Sequence, residues 1–476
     1  MSGGIMAVRS AWLVSALGCA ILAAAAFCLV LIGLGGPNGG APAVAAASSS
    51  GTGSGGIHLG VASCSGSTCH GRSENDGTVV RQDELVRWQE ESSPSGAHSR
   101  AYRVLAEPRG QAIAQRLGLG SATSAPMCLG CHADPVSAGQ AGPRFQLADG
   151  VGCEACHGAA QGWISSHYAV GATHQANVAA GLYPLTNPRA RADKCLDCHF
   201  GSDRPGQFVT HRIMAAGHPR VSFELDLFST LQQHHDEDAD YIQRKGRVSS
   251  VRMWAVGQAA ALERALSLYS NAKIGQDGIF PEFYFFDCHT CHRRISDEAS
   301  FRATAVANPG RPIPSGMPAF NDENMIMLSA AARAAAPSLA ARLDADSKAF
   351  HAALATDRPS AVRAAARLRA TAEALVDSFA VNDFSRAQTF AIVDAVASNA
   401  IAARYTDYEG CVQAVMATDT LLSALVKAGQ VSAGSASAIR GDINAAYAAV
   451  RDPNAFRPLE FRAALGRAAG AIRALR

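Results

Sequence analysis

The chain has 476 residues, of which 48% are hydrophobic, and its 42 Lys and Arg against 40 Asp and Glu leave a formal charge of +2. No basic patch is interleaved with aromatics, so nothing in the sequence suggests a nucleic-acid binder. Much of the hydrophobic share is alanine, so the composition alone promises less core than its percentage suggests.

In chain order, the first signal is an export segment within residues 1–35. Arg9 precedes a nearly unbroken apolar run from Ala11 to about Leu34, and Gly, Pro, Ala and Ser dominate residues 36–56. Signal-peptide cores span about 7 to 15 residues and a membrane-crossing helix needs about 20, so two fates fit. Ala43-Val44-Ala45 offers a cleavage site, whereas the long core and the flexible stretch suit an uncleaved anchor with a tether. Either fate delivers the rest to the periplasmic side of a bacterial inner membrane, anchored there or soluble.

From residue 57 to 301 two cysteines followed at once by histidine recur five times: Cys64-Ser-Gly-Ser-Thr-Cys69-His70, Cys128-Leu-Gly-Cys131-His132, Cys153-Glu-Ala-Cys156-His157, Cys195-Leu-Asp-Cys198-His199 and Cys288-His-Thr-Cys291-His292. This is the attachment signature of c-type haem, five per chain. Two thiols add to the porphyrin vinyl groups, and the adjacent histidine reaches the iron as proximal ligand. A tetrahedral zinc site needs two cysteine pairs per metal and has no use for a histidine after each second cysteine. In the first motif two extra residues must bulge between the thiols.

The motifs consume ten of 13 cysteines and leave Cys19, Cys28 and Cys411, so no disulfide framework is expected. Cys411, alone in a helical pattern, reads as a buried inert thiol. Five haems would bring about ten propionates and five ferric charges, so the loaded protein is acidic, roughly −3 oxidised and −8 reduced. Only 25 residues separate Cys128 from Cys153. So little protein per cofactor makes porphyrin a large share of the core. Helices are expected at residues 83–91, 98–117 and 252–270, with little other regular structure in this zone.

Asn308-Pro-Gly-Arg-Pro-Ile-Pro-Ser-Gly-Met-Pro318 marks a proline-rich linker over 302–320. Beyond it, residues 321–476 are alanine-rich with helical spacing, as in Leu368, Leu375 and Phe379 or Ile439, Ile443 and Tyr447. Asp357 and Asp383 are expected helix caps. The fold class is therefore mainly α: a haem-packed domain followed by a C-terminal bundle of about four to six helices. His351, within the bundle, is expected at a surface or interface and not as a ligand.

Function turns on the sixth ligand of each iron. Of 15 histidines, five are proximal, His351 is remote and His289 sits inside a haem loop. His58, His98, His167, His174, His211, His218, His234 and His235 remain, enough for bis-histidine ligation throughout. Met127, Met214 and Met317 are the other option.

Gly150-Val-Gly-Cys-Glu-Ala-Cys-His-Gly158, Met127-Cys-Leu-Gly-Cys-His132 and His98-Ser-Arg-Ala-Tyr102 resemble the multihaem family typified by the tetrahaem cytochrome that takes electrons from hydroxylamine oxidoreductase. The resemblance covers roughly residues 57 to 300, and it implies that His98 and His167 ligate the irons of neighbouring haems. Thr210-His-Arg-Ile-Met-Ala-Ala-Gly-His-Pro-Arg220 also looks like a ligand segment, with His218 favoured over His211 because the Gly-His-Pro turn fixes its direction. One of His234 and His235 is expected to serve, His235 being taken, and His58 completes the distal set. The chain departs from that family in its fifth motif, its expanded first motif and its appended helical region.

Two function classes follow. One is a relay passing single electrons in a periplasmic or membrane-associated respiratory chain, its partners a quinol-oxidising complex, a cytochrome or a terminal reductase. The other is an oxidoreductase acting on a small nitrogen or sulfur compound at an iron with an open distal position. Pentahaem nitrite reductases mark their catalytic haem with a lysine in place of the motif histidine, and every motif here ends in histidine. The acidic run Asp236, Glu237, Asp238 and Asp240 is a possible steering patch for a basic redox partner.

Overall fold

The structure, a computed structural model, describes residues 56–73, 82–134, 136–274, 282–292, 318–401 and 408–476. The apolar N-terminal run, Met317 and most of the proline-rich linker lie outside the described residues. Residues 53–476 form one compact unit. It is mainly helical, and among the described residues extended pairing is limited to two isolated bridges, His58 with Ala141 and Phe286 with Phe320. Among the described residues no helix is long and apolar enough to cross a membrane.

The motif-bearing half is built of short helices: α1 (Glu84–Trp88), α2 (Arg103–Ala106), α3 (Pro108–Arg116), α4 (Pro126–His132), α5 (Cys153–His157), α6 (Ile164–His167), α7 (His174–Ala179), α8 (Pro188–His199), α9 (His211–Ala215), α10 (Leu225–Leu231) and α11 (Ala239–Lys245). Proline at the first position of α3, α4 and α8 explains their sharp starts, because its missing N–H is one the first turn cannot use. The expected helix over 98–117 is accordingly broken, with Glu107 extended before Pro108.

Four motifs end on helices, namely α4, α5, α8 and α13 (Cys288–Cys291). In the last, the His292 N–H donates to the Cys288 carbonyl at 2.8 Å. The expanded first motif reaches the same closure by a different path. Tight turns absorb its extra residues, the Cys69 N–H donating to Gly66 O at 2.8 Å, and the His70 N–H still meets Cys64 O at 3.1 Å.

Helix α12 (Ser250–Ser270) joins the two halves of the molecule. Ser249 caps it, and most of its side chains are buried on all sides. One side packs on α8 and α10. The others meet three of the C-terminal helices, α14 (Glu323–Ala335), α16 (Arg358–Ala380) and α18 (Tyr408–Lys427). At Gly257 an added Cβ would come within 2.5 Å of the Leu225 Cβ, so glycine permits the close crossing of α10 and α12.

With α15 (Pro337–Leu354), α17 (Arg386–Ile401), α19 (Ala433–Ala449) and α20 (Pro458–Arg473), the C-terminal region has seven helices among the described residues, more than the four to six expected. Short breaks account for the excess: only Ala336 separates α14 from α15, and Pro337 starts the new helix. Asp357 caps α16 as expected, accepting from the Ser360 N–H at 2.6 Å. Asp383 instead pairs with Arg252. The start of α17 is held by a capping box in which Ser385 Oγ accepts from Gln388 N–H and Gln388 Oε1 accepts from Ser385 N–H.

A buried polar chain runs through this core. Asn324 donates to Gln258 at 2.7 Å, Gln258 to Gln413 at 3.0 Å, and Gln413 to the Phe223 carbonyl at 2.9 Å. Such groups are tolerable because each finds a partner. Cys411 is buried, as its helical context implied. His351, expected at a surface or interface, is instead buried in the core, donating Nδ1–H to the Ser347 carbonyl.

Candidate haem-binding sites

Each motif histidine faces a histidine from another segment. The ring centres are 5.9 Å apart for His70 and His167, 6.0 Å for His98 and His199, and 6.2 Å for His132 and His218. They are 6.3 Å apart for His157 and His234 and 6.1 Å for His211 and His292. Metal–imidazole bonds of about 2.0 Å, with about 1.1 Å from each nitrogen to its ring centre, put two trans imidazoles about 6 Å apart. The spacing at all five pairs therefore fits one iron between the rings.

The surroundings favour the ligating form. Burial holds His157 down at about 3 and His199 at about 4, so both are neutral imidazoles. Second nitrogens are engaged by the protein: His132 Nδ1–H donates to Ala101 O at 2.8 Å and His218 Nδ1–H to Pro219 O at 2.7 Å. His70 Nδ1 meets Glu84 Oε2 at 3.0 Å. These bonds leave Nε2 for a metal and fix the ring plane. The His199 ring stacks on Phe223 with centres 4.9 Å apart.

Local chain geometry delivers the rings. His157 closes α5, and Gly158 at φ 81° ends that helix at once, where a side chain would strain the backbone. His211 opens α9 with Thr210 as cap, whereas His218 follows its end, so the short helix separates two histidines that face different motif histidines. The sequence reading kept His218 and set His211 aside, although the facing geometry uses both. The overlooked signal was that a helix between them allows opposite directions.

The attachment cysteines also neighbour one another. The Cys64 thiol lies beside that of Cys153, and the Cys131 thiol beside that of Cys198. Gln207 Nε2 donates to Gly130 O at 2.9 Å beside the second pair. The first motif thus lies against the third and the second against the fourth.

Two expected distal histidines sit elsewhere. His235 stacks on Tyr241 with ring centres 5.3 Å apart, and its neighbour His234 faces His157 in its place. His58 holds Asp134 at 2.6 Å through Nδ1 and lies edge-on to Phe145. Burial opposes its protonation, but the hydrogen bond and charge of Asp134 raise its pKa overall, which suits a structural ion pair. His174 contacts Thr186. Met127 is partly exposed and Met214 packs on the hydrophobic core. Three residues of the acidic run are engaged within the chain: Asp236 pairs with Arg87, Glu237 with Lys427, and Asp238 caps α11.

Residues 64–158, which hold the first three motifs, match the family model described as cytochrome c554 and c-prime. No curated protein and no solved structure matches the chain. The family match supports a multihaem c-type cytochrome, with covalently bound haem c and a role in electron transfer.

Proposed function

We propose that the chain is a pentahaem relay whose irons are each closed by two histidines: His70 with His167, His132 with His218, His157 with His234, His199 with His98 and His292 with His211. Five thioether pairs hold the cofactors, at Cys64 and Cys69, Cys128 and Cys131, Cys153 and Cys156, Cys195 and Cys198, and Cys288 and Cys291. When bound, haem c supplies reversible one-electron exchange.

The single observation that carries this reading is the facing of every motif histidine by a second imidazole near 6 Å. A second ring on the far side excludes substrate from the iron, which favours a carrier over an oxidoreductase. The protein's own work is to orient the imidazoles, and at His157 and His199 to keep them buried and neutral. The partners are redox proteins, a quinol-oxidising complex on one side and a cytochrome or terminal reductase on the other. The relay acts on the periplasmic side of a bacterial inner membrane, tethered or released according to the fate of residues 1–35.

The deciding experiment is electron paramagnetic resonance with spin quantitation on the oxidised, fully loaded protein, before and after nitric oxide. Five low-spin irons indifferent to nitric oxide are expected. A stoichiometric high-spin iron that binds it would replace the relay with the enzyme reading.

A further inference from the structure

The fifth motif is embedded in a buried group of charges supplied largely by the C-terminal helices. Glu409, at the start of α18, is 1% exposed, and neither carboxylate oxygen receives a hydrogen bond from a nitrogen or oxygen donor. Arg220 Nε stands 3.5 Å from Glu409 Oε1. The same guanidinium donates to Tyr284 O at 2.8 Å, lies 3.9 Å from Cys288 Sγ and stacks over the Tyr284 ring. It thereby links the carboxylate to the attachment point.

More negative charge converges on this place. Asp287, just before the motif, lies against Glu409 and accepts from the Tyr408 N–H at 3.2 Å. Glu323, at the start of α14, also faces Arg220, and beside it Asp322 lies 3.5 Å from His351 Nε2. A carboxyl–carboxyl contact such as Glu409 with Asp287 forms a hydrogen bond only when a proton is shared. Burial pushes Glu409 well above the carboxylate range and Glu323 to about 7, each against the pull of Arg220. A cavity bordered by Arg220, Tyr284, Glu323 and Asn324 adjoins the group.

We propose that Glu409 is a proton-binding site coupled to the redox state of the haem held by Cys288 and Cys291. With haem bound there, an electron from the relay's donor would add one negative charge beside a carboxylate that, among the described residues, only Arg220 compensates, at 3.5 Å. Glu409 takes one proton from solvent in the same step, forming its O–H bond, and returns the proton when the electron leaves. No other reactant is needed, and charge beside the buried group is unchanged over the cycle. The C-terminal helices thereby do more than cover the fifth motif: α18 carries the group that makes one site of the relay respond to pH.

This inference rests on the pentahaem reading, and the experiment separates the two. Haem content is counted on the loaded full chain, followed by potentiometric titrations at pH 6, 7 and 8 on wild type and Glu409→Gln, with infrared difference spectra of reduction. Expected are five haems, one potential falling as pH rises, loss of that dependence in Glu409→Gln with the other four potentials unmoved, and a protonated-carboxyl band that grows on reduction only in wild type. Five haems with identical pH dependence in both proteins would overturn the proton site and leave the relay standing. Four haems with Cys288 and Cys291 free would overturn both. If Glu409→Gln does not fold, the wild-type infrared spectrum decides alone, because absence of the carboxyl band refutes the proposal.

Discussion

The imidazole of His211 faces that of His292 across 6.1 Å, and the two rings come from the start of α9 and the end of α13. The His211 N–H donates to Glu282 Oε1 at 2.7 Å, which ties the histidine to the stretch that leads into the fifth motif. On the proposed reading, this pairing would supply both ligands of the fifth iron from within the chain.

Replacing His211 by alanine should therefore open one iron. Spin quantitation is expected to show one high-spin and four low-spin haems, with one equivalent of nitric oxide bound. His235→Ala is expected to leave five low-spin haems, since His235 stacks on Tyr241 and His234 is the residue facing His157. High-spin iron in His235→Ala would reverse that assignment.

The ring planes set the shape of the low-spin spectra. His70 and His167 are inclined by 17° and His211 and His292 by 35°, whereas the other three pairs lie at 72°, 87° and 82°. Near-parallel imidazoles donate to the same iron d orbital and split the pair strongly, but crossed rings leave it nearly degenerate. Two haems with rhombic spectra and three with a single large-g feature are expected; five alike would contradict the geometry.

Glu84 acts on the first site through His70, whose Nδ1 it meets at 3.0 Å. A carboxylate there makes the imidazole a stronger donor and stabilises ferric iron. Glu84→Gln should raise the potential of one haem and leave the other four in place, as followed by potentiometric titration. An unchanged set of potentials would assign Glu84 a merely structural contact.

Stability should fall between weakly acidic and weakly basic pH. Burial and then the Glu224 charge push Asp226 to about 8. A carboxyl raised in the folded state favours folding fully below its unfolded pKa near 4, and that contribution is lost as pH rises toward 8. Asp226→Asn should remove the loss, raising stability at pH 8 by about 1 kcal/mol or more beyond any gain at pH 5. Thermal unfolding at the two pH values measures it, and an equal effect at both would exclude the linkage.

The helical C-terminal region was legible because its apolar spacing repeats over long helices such as α16 and α18. Their number was not, since a one-residue break such as Ala336 leaves the apolar period nearly undisturbed. The placement of α12 was also hidden: its sequence reads as a helix near the motifs, yet its apolar residues face both α8 and α16, so it serves one continuous core.

The motifs and their histidines could be read from the chain alone, because thioether attachment and proximal ligation are local and demand fixed spacing over a few residues. Distal pairing has no such local rule. His98 meets a ring 101 positions later and His167 one 97 positions earlier. Any histidine within reach of the folded chain satisfies the chemistry equally. Only tertiary packing separates His234 from His235, brings His211 beside His292, engages His58 with Asp134, and sets Glu409 of a distant helix against the fifth motif.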